Sequence, residues 1–120
     1  MYQLCPRFEH AMQILSKRWT GLIIHQLLTG KHRFSEIESS LPLSGRLLSE
    51  RLKDLEKEGI VKREVFSEIP VRVEYSLTEK GMALKPVLHS IEQWAGDWLI
   101  TGAEIENLNL KNDQTSGIKN

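Results

Sequence analysis

Residues 44–78, SGRLLSERLKDLEKEGIVKREVFSEIPVRVEYSLT, leave this chain few folds to choose from. Leu47, Leu48, Leu52 and Leu55 recur at helical spacing, which predicts an amphipathic helix. Ser44 stands where its hydroxyl can accept a bond from an unpaired backbone N–H and cap that helix. Gly59 ends it, because glycine takes the left-handed C′ conformation at little cost. Two strand-like runs follow, 60–66 and 71–77. Between them lies the turn Ser67, Glu68, Ile69 and Pro70, whose proline has no N–H for a ladder. A helix of about four turns followed by a two-stranded ribbon is the pattern of a winged helix-turn-helix. Such a unit lays a helix in the DNA major groove and a hairpin against the flanking backbone.

The flanks read as more helix. Pro6 suits a first helical turn, where its missing N–H costs nothing. Phe8, Met12 and Leu15 then share a stripe, with Ala11 and Ile14 beside it. A second helix fits 19–29, with Leu22, Ile23, Leu27 and Leu28 as burial candidates and Gly30 as its stop. Arg33 and Phe34 read as a very short strand. Ser35 is the expected cap of a third helix reaching Leu41, with Glu38 completing a capping box, and Pro42 breaks it. After the ribbon, Thr78 caps a helix to Lys85, and Pro86 kinks or restarts it. Val87, Leu88, Ile91, Trp94, Ala95, Trp98 and Leu99 then repeat every 3–4 residues, up to a stop at Gly102. That is more apolar bulk than the outer helix of one small domain needs. Residues 103–120 are polar and aperiodic and read as a flexible tail, so the domain is placed at 5–102.

Composition narrows the function. No run approaches the roughly 18 apolar residues of a membrane span, and MYQLCPRFEH lacks the pattern of a signal peptide. The expected location is the cytoplasm. The 16 basic and 16 acidic residues cancel, which argues against an indiscriminate nucleic-acid binder. Residues 1–75 hold 12 basic and 10 acidic side chains, and residues 76–120 hold 4 and 6. The half with the recognition pattern is therefore mildly positive. One cysteine excludes an intrachain disulfide and any cysteine-rich zinc site. His10, His25, His32 and His89 show no metal-ligand spacing, no nucleotide-binding glycine loop is present, and no nucleophile, base and orienter set stands out. The expectation is a non-enzyme with no cofactor or metal.

The chain also resembles a known family. Cys5 with Pro6, KRWT at 17–20, RFSEI at 33–37, Leu41 with Pro42, LSERL at 48–52, EGIV at 58–61, PVRVEYSLT at 70–78, Lys80 with Gly81, and Trp94 run in family order across residues 5–99. The ordered set resembles the HxlR-type transcription regulators, winged-helix proteins close to the MarR type. The resemblance implies a mainly α fold with a small β-ribbon (α+β), a winged helix-turn-helix whose N- and C-terminal helices form a dimer interface. Two departures stand out. Ser16, Lys17 and Arg18 occupy positions where many members have glycines, and the turn 41–44 is one residue shorter than the usual Leu-Pro-x-x-Ser.

The candidate site residues follow. With Leu48, Leu52 and Leu55 inward, Gly45, Arg46, Ser49, Glu50 and Lys53 project outward at or after the Ser44 cap. Arg46 suits a guanine edge, Ser49 a base or phosphate, and Lys53 a phosphate. Arg51 lies nearer the core edge and is expected to buttress Glu56 or Glu36. Arg72, at the hairpin tip, is placed for phosphate or the minor groove, and one of Lys62 and Arg63 should face outward by strand alternation. The bland alternatives are a solvated helix face and a surface arginine.

Cys5 is the sharpest chemical candidate. A helix start, with Arg7 nearby, favours thiolate over thiol. Similar regulators sense quinones, electrophiles or oxidants through a cysteine at this position; the alternative is a structural thiol beside the dimer contact. By the same resemblance Phe8, Met12, Leu88, Ile91, Trp94 and Trp98 are the expected homodimer contacts, with intrachain core as the alternative. The expected function is a homodimeric repressor on a palindromic double-stranded DNA operator, released by thiol modification of Cys5. Competing readings are a constitutive or small-ligand-gated regulator and, more weakly, a winged helix used as a protein-interaction module.

Overall fold

The computed structural model describes residues 5–106 and Asn109. The order is α1 (Pro6–Leu15), α2 (Thr20–Leu27), β1 (His32–Arg33), α3 (Phe34–Ser40), α4 (Gly45–Lys57), β2 (Val61–Phe66), β3 (Arg72–Leu77), α5 (Glu79–Met82) and α6 (Lys85–Trp98). The three strands form one antiparallel sheet in the order β1-β3-β2. It is therefore mainly helical with a small ribbon, as expected. The residues up to Leu88 make one compact unit and those from His89 a second, the boundary falling inside α6. Among the described residues no helix is long and apolar enough to cross a membrane.

The centre of the first unit is apolar and drawn from most of its elements. Ile23, Ile24 and Leu27 of α2 meet Ile37 of α3, Leu48, Leu52 and Leu55 of α4, and Ile60 and Val61 at the head of β2. Leu88 joins the same cluster at 8% exposure. This corrects its assignment to a dimer contact: the first turn of α6 spends its leucine on the core of its own chain.

Both ends of α4 behave as the sequence predicts. The Leu47 N–H donates to Ser44 Oγ at 3.1 Å. At the other end Gly59 takes φ 73°. The Ile60 N–H reaches the Leu55 carbonyl at 2.9 Å and the Gly59 N–H the Glu56 carbonyl at 3.0 Å, the paired bonds of a Schellman stop. Ser44→Ala removes the side chain that caps the N-terminus of α4. It should cost about 1 kcal/mol, read as a shift in the urea midpoint at constant m-value.

Other boundaries move. The second helix runs Thr20–Leu27, not 19–29, because Trp19 adopts φ 77° and breaks the helical path before it. Its buried stripe is Ile23, Ile24 and Leu27, while Leu22 points outward. The short strand is His32–Arg33, and it pairs Arg33 with Glu74 of β3. Phe34 therefore opens α3, and the cap is Arg33, not Ser35. Glu36 rather than Glu38 reaches back to the cap. The arginine side chain has no acceptor and returns no bond, but the Arg33 N–H donates to Glu36 Oε1 at 3.0 Å. That bond, and then His32, hold the Glu36 carboxyl below its ordinary value of 4.5. The contribution is thus complete above that value and is lost as pH falls through the lowered one.

Thr78 caps α5, accepting from the Gly81 N–H at 3.1 Å, and α6 restarts at Lys85. Gly102 does not end a helix. Helix α6 ends at Trp98, and Thr101 caps a new helical turn over 102–106 by accepting from the Glu104 N–H at 3.2 Å. Of the expected tail, 103–106 belong to that turn; 107, 108 and 110–120 lie outside the described residues.

Candidate nucleic-acid interface

Helix α4 presents two faces. Leu48, Leu52 and Leu55 seat it in the core. Arg46, Glu50 and Lys53, at i, i+4 and i+7, make one exposed stripe on the opposite side. Arg46 is open, with 91% of its side chain exposed and its Nε 3.7 Å from Glu50 Oε1. So weak and wet a pair leaves the guanidinium available for a stronger acceptor. Ser44 spends its hydroxyl on the cap. Ser49 is half-buried at the edge of the stripe. Gly45 is half-buried too, and a Cβ there would run into the Glu38 carboxylate of α3. That carboxylate is the free end of a flexible side chain and can swing aside, so the packing does not require glycine here.

The turn before α4 is tight. The Leu43 N–H donates to the Leu41 carbonyl at 2.9 Å, and both leucines pack on the core. Arg51 does not buttress Glu56 or Glu36. Its Nε donates to the Arg18 carbonyl at 3.0 Å and its Nη1 lies 3.7 Å from Asp54. It ties α4 to the bend before α2, where the Arg18 guanidinium stacks on Trp19 at 4.6 Å.

In the wing, β2 and β3 pair from Val61 opposite Leu77 to Phe66 opposite Arg72. Glu64 faces Glu74 directly in this register. Like charges so placed repel, and cations surround them. Lys62 lies 3.5 Å from Glu64 and Lys31 lies 3.9 Å from it. Arg72 donates to Glu74 at 2.8 Å and to Glu68 at 3.1 Å, and covers the Phe66 ring at 4.2 Å. Only 29% of its side chain is exposed. Arg72 is therefore already engaged inside the wing. The sequence held part of that signal, since Arg72 and Glu74 share a strand face. Lys62 and Arg63 are both exposed, although alternation led us to expect only one of them outward.

Cys5 is the N-cap residue of α1, extended at φ −81°, ψ 112°, and its thiol is exposed. On the helix it heads, Phe8 and Met12 stand in solvent. In the second unit Ile91, Trp94 and Trp98 are exposed along α6, Trp98 to 75%. Among the described residues no group of three His, Cys, Asp or Glu side chains could hold a metal ion.

A capped helix with an exposed polar stripe headed by Arg46, preceded by a helix and tight turn and followed by a hairpin, is the geometry of a groove reader. The HxlR-like helix-turn-helix family model matches residues 14–102. The chain belongs to that family. This HxlR-like protein is 64% identical over 98 residues to the uncharacterised HTH-type transcriptional regulator YvaP of Bacillus subtilis (strain 168), a match covering 81% of this chain and 91% of YvaP. It is also similar to solved structures of the regulator YodB from B. subtilis. The reduced form superposes with a TM-score of 0.74 at 48% identity, over 81% of this chain and 96% of that one. The quinone-bound form gives 0.71 at 46% identity, over 79% and 100%. The HxlR-like chain is thus a DNA-binding transcription regulator with a winged-helix fold.

Proposed function

We propose that this regulator is a cytoplasmic homodimeric repressor of a palindromic operator, released when Cys5 is modified by a quinone, another electrophile or an oxidant. One observation carries the reading: the chain's single cysteine is exposed at the head of α1, where an incoming electrophile can reach it. The solved quinone-bound form of the similar YodB supports the class of inducer. In the adduct, the thiolate sulfur bonds to a ring carbon of the quinone. The electron pair moves to the ring oxygens, and proton uptake leaves a hydroquinone thioether.

The apolar faces support the dimer. Phe8 and Met12 on α1, and Ile91, Trp94 and Trp98 on α6, expose large hydrophobic side chains that a second copy would cover. Two copies of α4 would then meet half-sites about one helical turn, roughly 34 Å, apart. Arg46 reads a base, with Gly45 allowing the approach. Ser49 and Lys53 hold phosphates beside it, and Ser44 shapes the helix end. Arg72 reaches a phosphate only by leaving Glu68.

A gel shift on the DNA upstream of the protein's own gene tests this. Reduced protein should bind with a log–log salt slope of about −0.9 per phosphate contact. Benzoquinone should weaken binding at least tenfold in the wild type and less than twofold in Cys5→Ala. Equal release of Cys5→Ala would sink the thiol assignment. Binding in both states would favour a constitutive or ligand-gated regulator, and no salt-dependent binding would favour a protein-interaction module.

A further inference from the structure

Helix α1 is held to its domain loosely. None of its residues is buried, and only Ile14 and Leu15 pack on the core. Two polar ties land on the C-terminal half of α4. His10 Nε2 sits 3.0 Å from Glu58 Oε2. Lys17, just beyond the end of α1, places Nζ 3.1 Å from Asp54 Oδ2. Asp54 and Glu58 are one turn apart, so the two bridges grip consecutive turns of the DNA-reading helix and its cap. Under them runs a cleft of about 200 Å³ with Ile14, Thr20 and Leu55 in its walls. The bridges therefore span a gap that side-chain packing does not fill.

We infer that His10 with Glu58, and Lys17 with Asp54, are the positioning pairs through which a change at the head of α1 reaches the recognition helix. The inference rests on the thiol reading above and names its route. Leu48, Leu52 and Leu55 anchor α4 in the core whatever happens to α1. Basal DNA binding therefore does not need the bridges. Within one subunit, a modification at Cys5 reaches α4 to the extent that contacts between α1 and α4 differ between two arrangements. Bridges this exposed are worth at most about fivefold each in an equilibrium, so together they limit the coupling to about twenty-five-fold. Such ties exchange partners easily, and Lys57, also lining the cleft, offers Glu58 an alternative cation.

The test compares wild type, Lys17→Met/Glu58→Met and the conservative Lys17→Arg on the same fluorescent upstream duplex, before and after benzoquinone. Hydrogen exchange of the untreated proteins is followed in parallel. Untreated, the double variant should bind within threefold of wild type. Its α1 amides should exchange at least fivefold faster, with those of α4 unchanged. After benzoquinone its loss of affinity should be at most a third of the wild-type loss, and Lys17→Arg should respond as wild type does. Full release of the double variant, or unchanged α1 exchange, overturns the coupling while leaving the thiol reading intact. A wild-type protein that quinone does not release overturns the thiol reading, and the coupling with it.

Discussion

Leu52→Ala is expected to lower stability by about 3 kcal/mol, within the range of about 2–5 for a buried leucine. Leu52 is 2% exposed and lies on α4 among residues contributed by α2, α3 and β2. Truncation removes the transfer free energy of three carbons and leaves a cavity that these rigid neighbours cannot close. Urea unfolding followed by far-UV circular dichroism would read it. A loss below about 1 kcal/mol would mean that α4 is not seated as described. Arg46→Ala, on the opposite face of the same helix, should leave stability within about 0.5 kcal/mol. The two substitutions thus separate the packing face of the recognition helix from its reading face.

Gly81→Ala should be comparably harmful, although it adds one methyl group to a four-residue helix. The new Cβ would overlap the Ile60 carbonyl oxygen and lie 3.1 Å from Leu77 Cδ2. The carbonyl cannot swing away cheaply, because it accepts from the Thr78 N–H at 3.0 Å. Relief requires lifting α5 off the junction between α4 and β2. We expect a loss of about 3 kcal/mol, at the upper end for overpacking because the obstacle is backbone. Gly21→Ala is the control. A Cβ there meets nothing within 4 Å, so alanine should be neutral or stabilising by up to about 1 kcal/mol. Equal thermal shifts for the two variants would refute the close approach at Gly81.

Element ends set by neighbouring residues and those set by distant partners behave differently in this chain. The caps at Ser44 and Thr78 and the stop at Gly59 are set by residues within about four positions, and all three stand where expected. The strand pair and its turn were legible for the same reason. The errors arose where a distant partner decides. Leu22 and Ile24 are equivalent to a hydrophobicity pattern, but the left-handed Trp19 resets the helix start and turns Ile24 inward. Arg33 became a cap because its strand pairs with β3, about forty residues away. Arg51 found a backbone carbonyl, which no charge pattern reveals.

The candidate site divides in the same way. By itself the sequence determined the helix, its capped start, the polar stripe through Arg46 and Lys53, and Cys5 at the head of α1. These depend on residue type and on a period of 3.6, both local properties of the chain. The tertiary structure decided which groups were still free to act. It engaged Arg72 with Glu68, Glu74 and Phe66, took Leu88 into the core, left Trp94 and Trp98 in solvent, and joined His10 and Lys17 to the far end of α4. Availability depends on what lies within a few ångströms in space, and folding sets those neighbours across separations that no local pattern records.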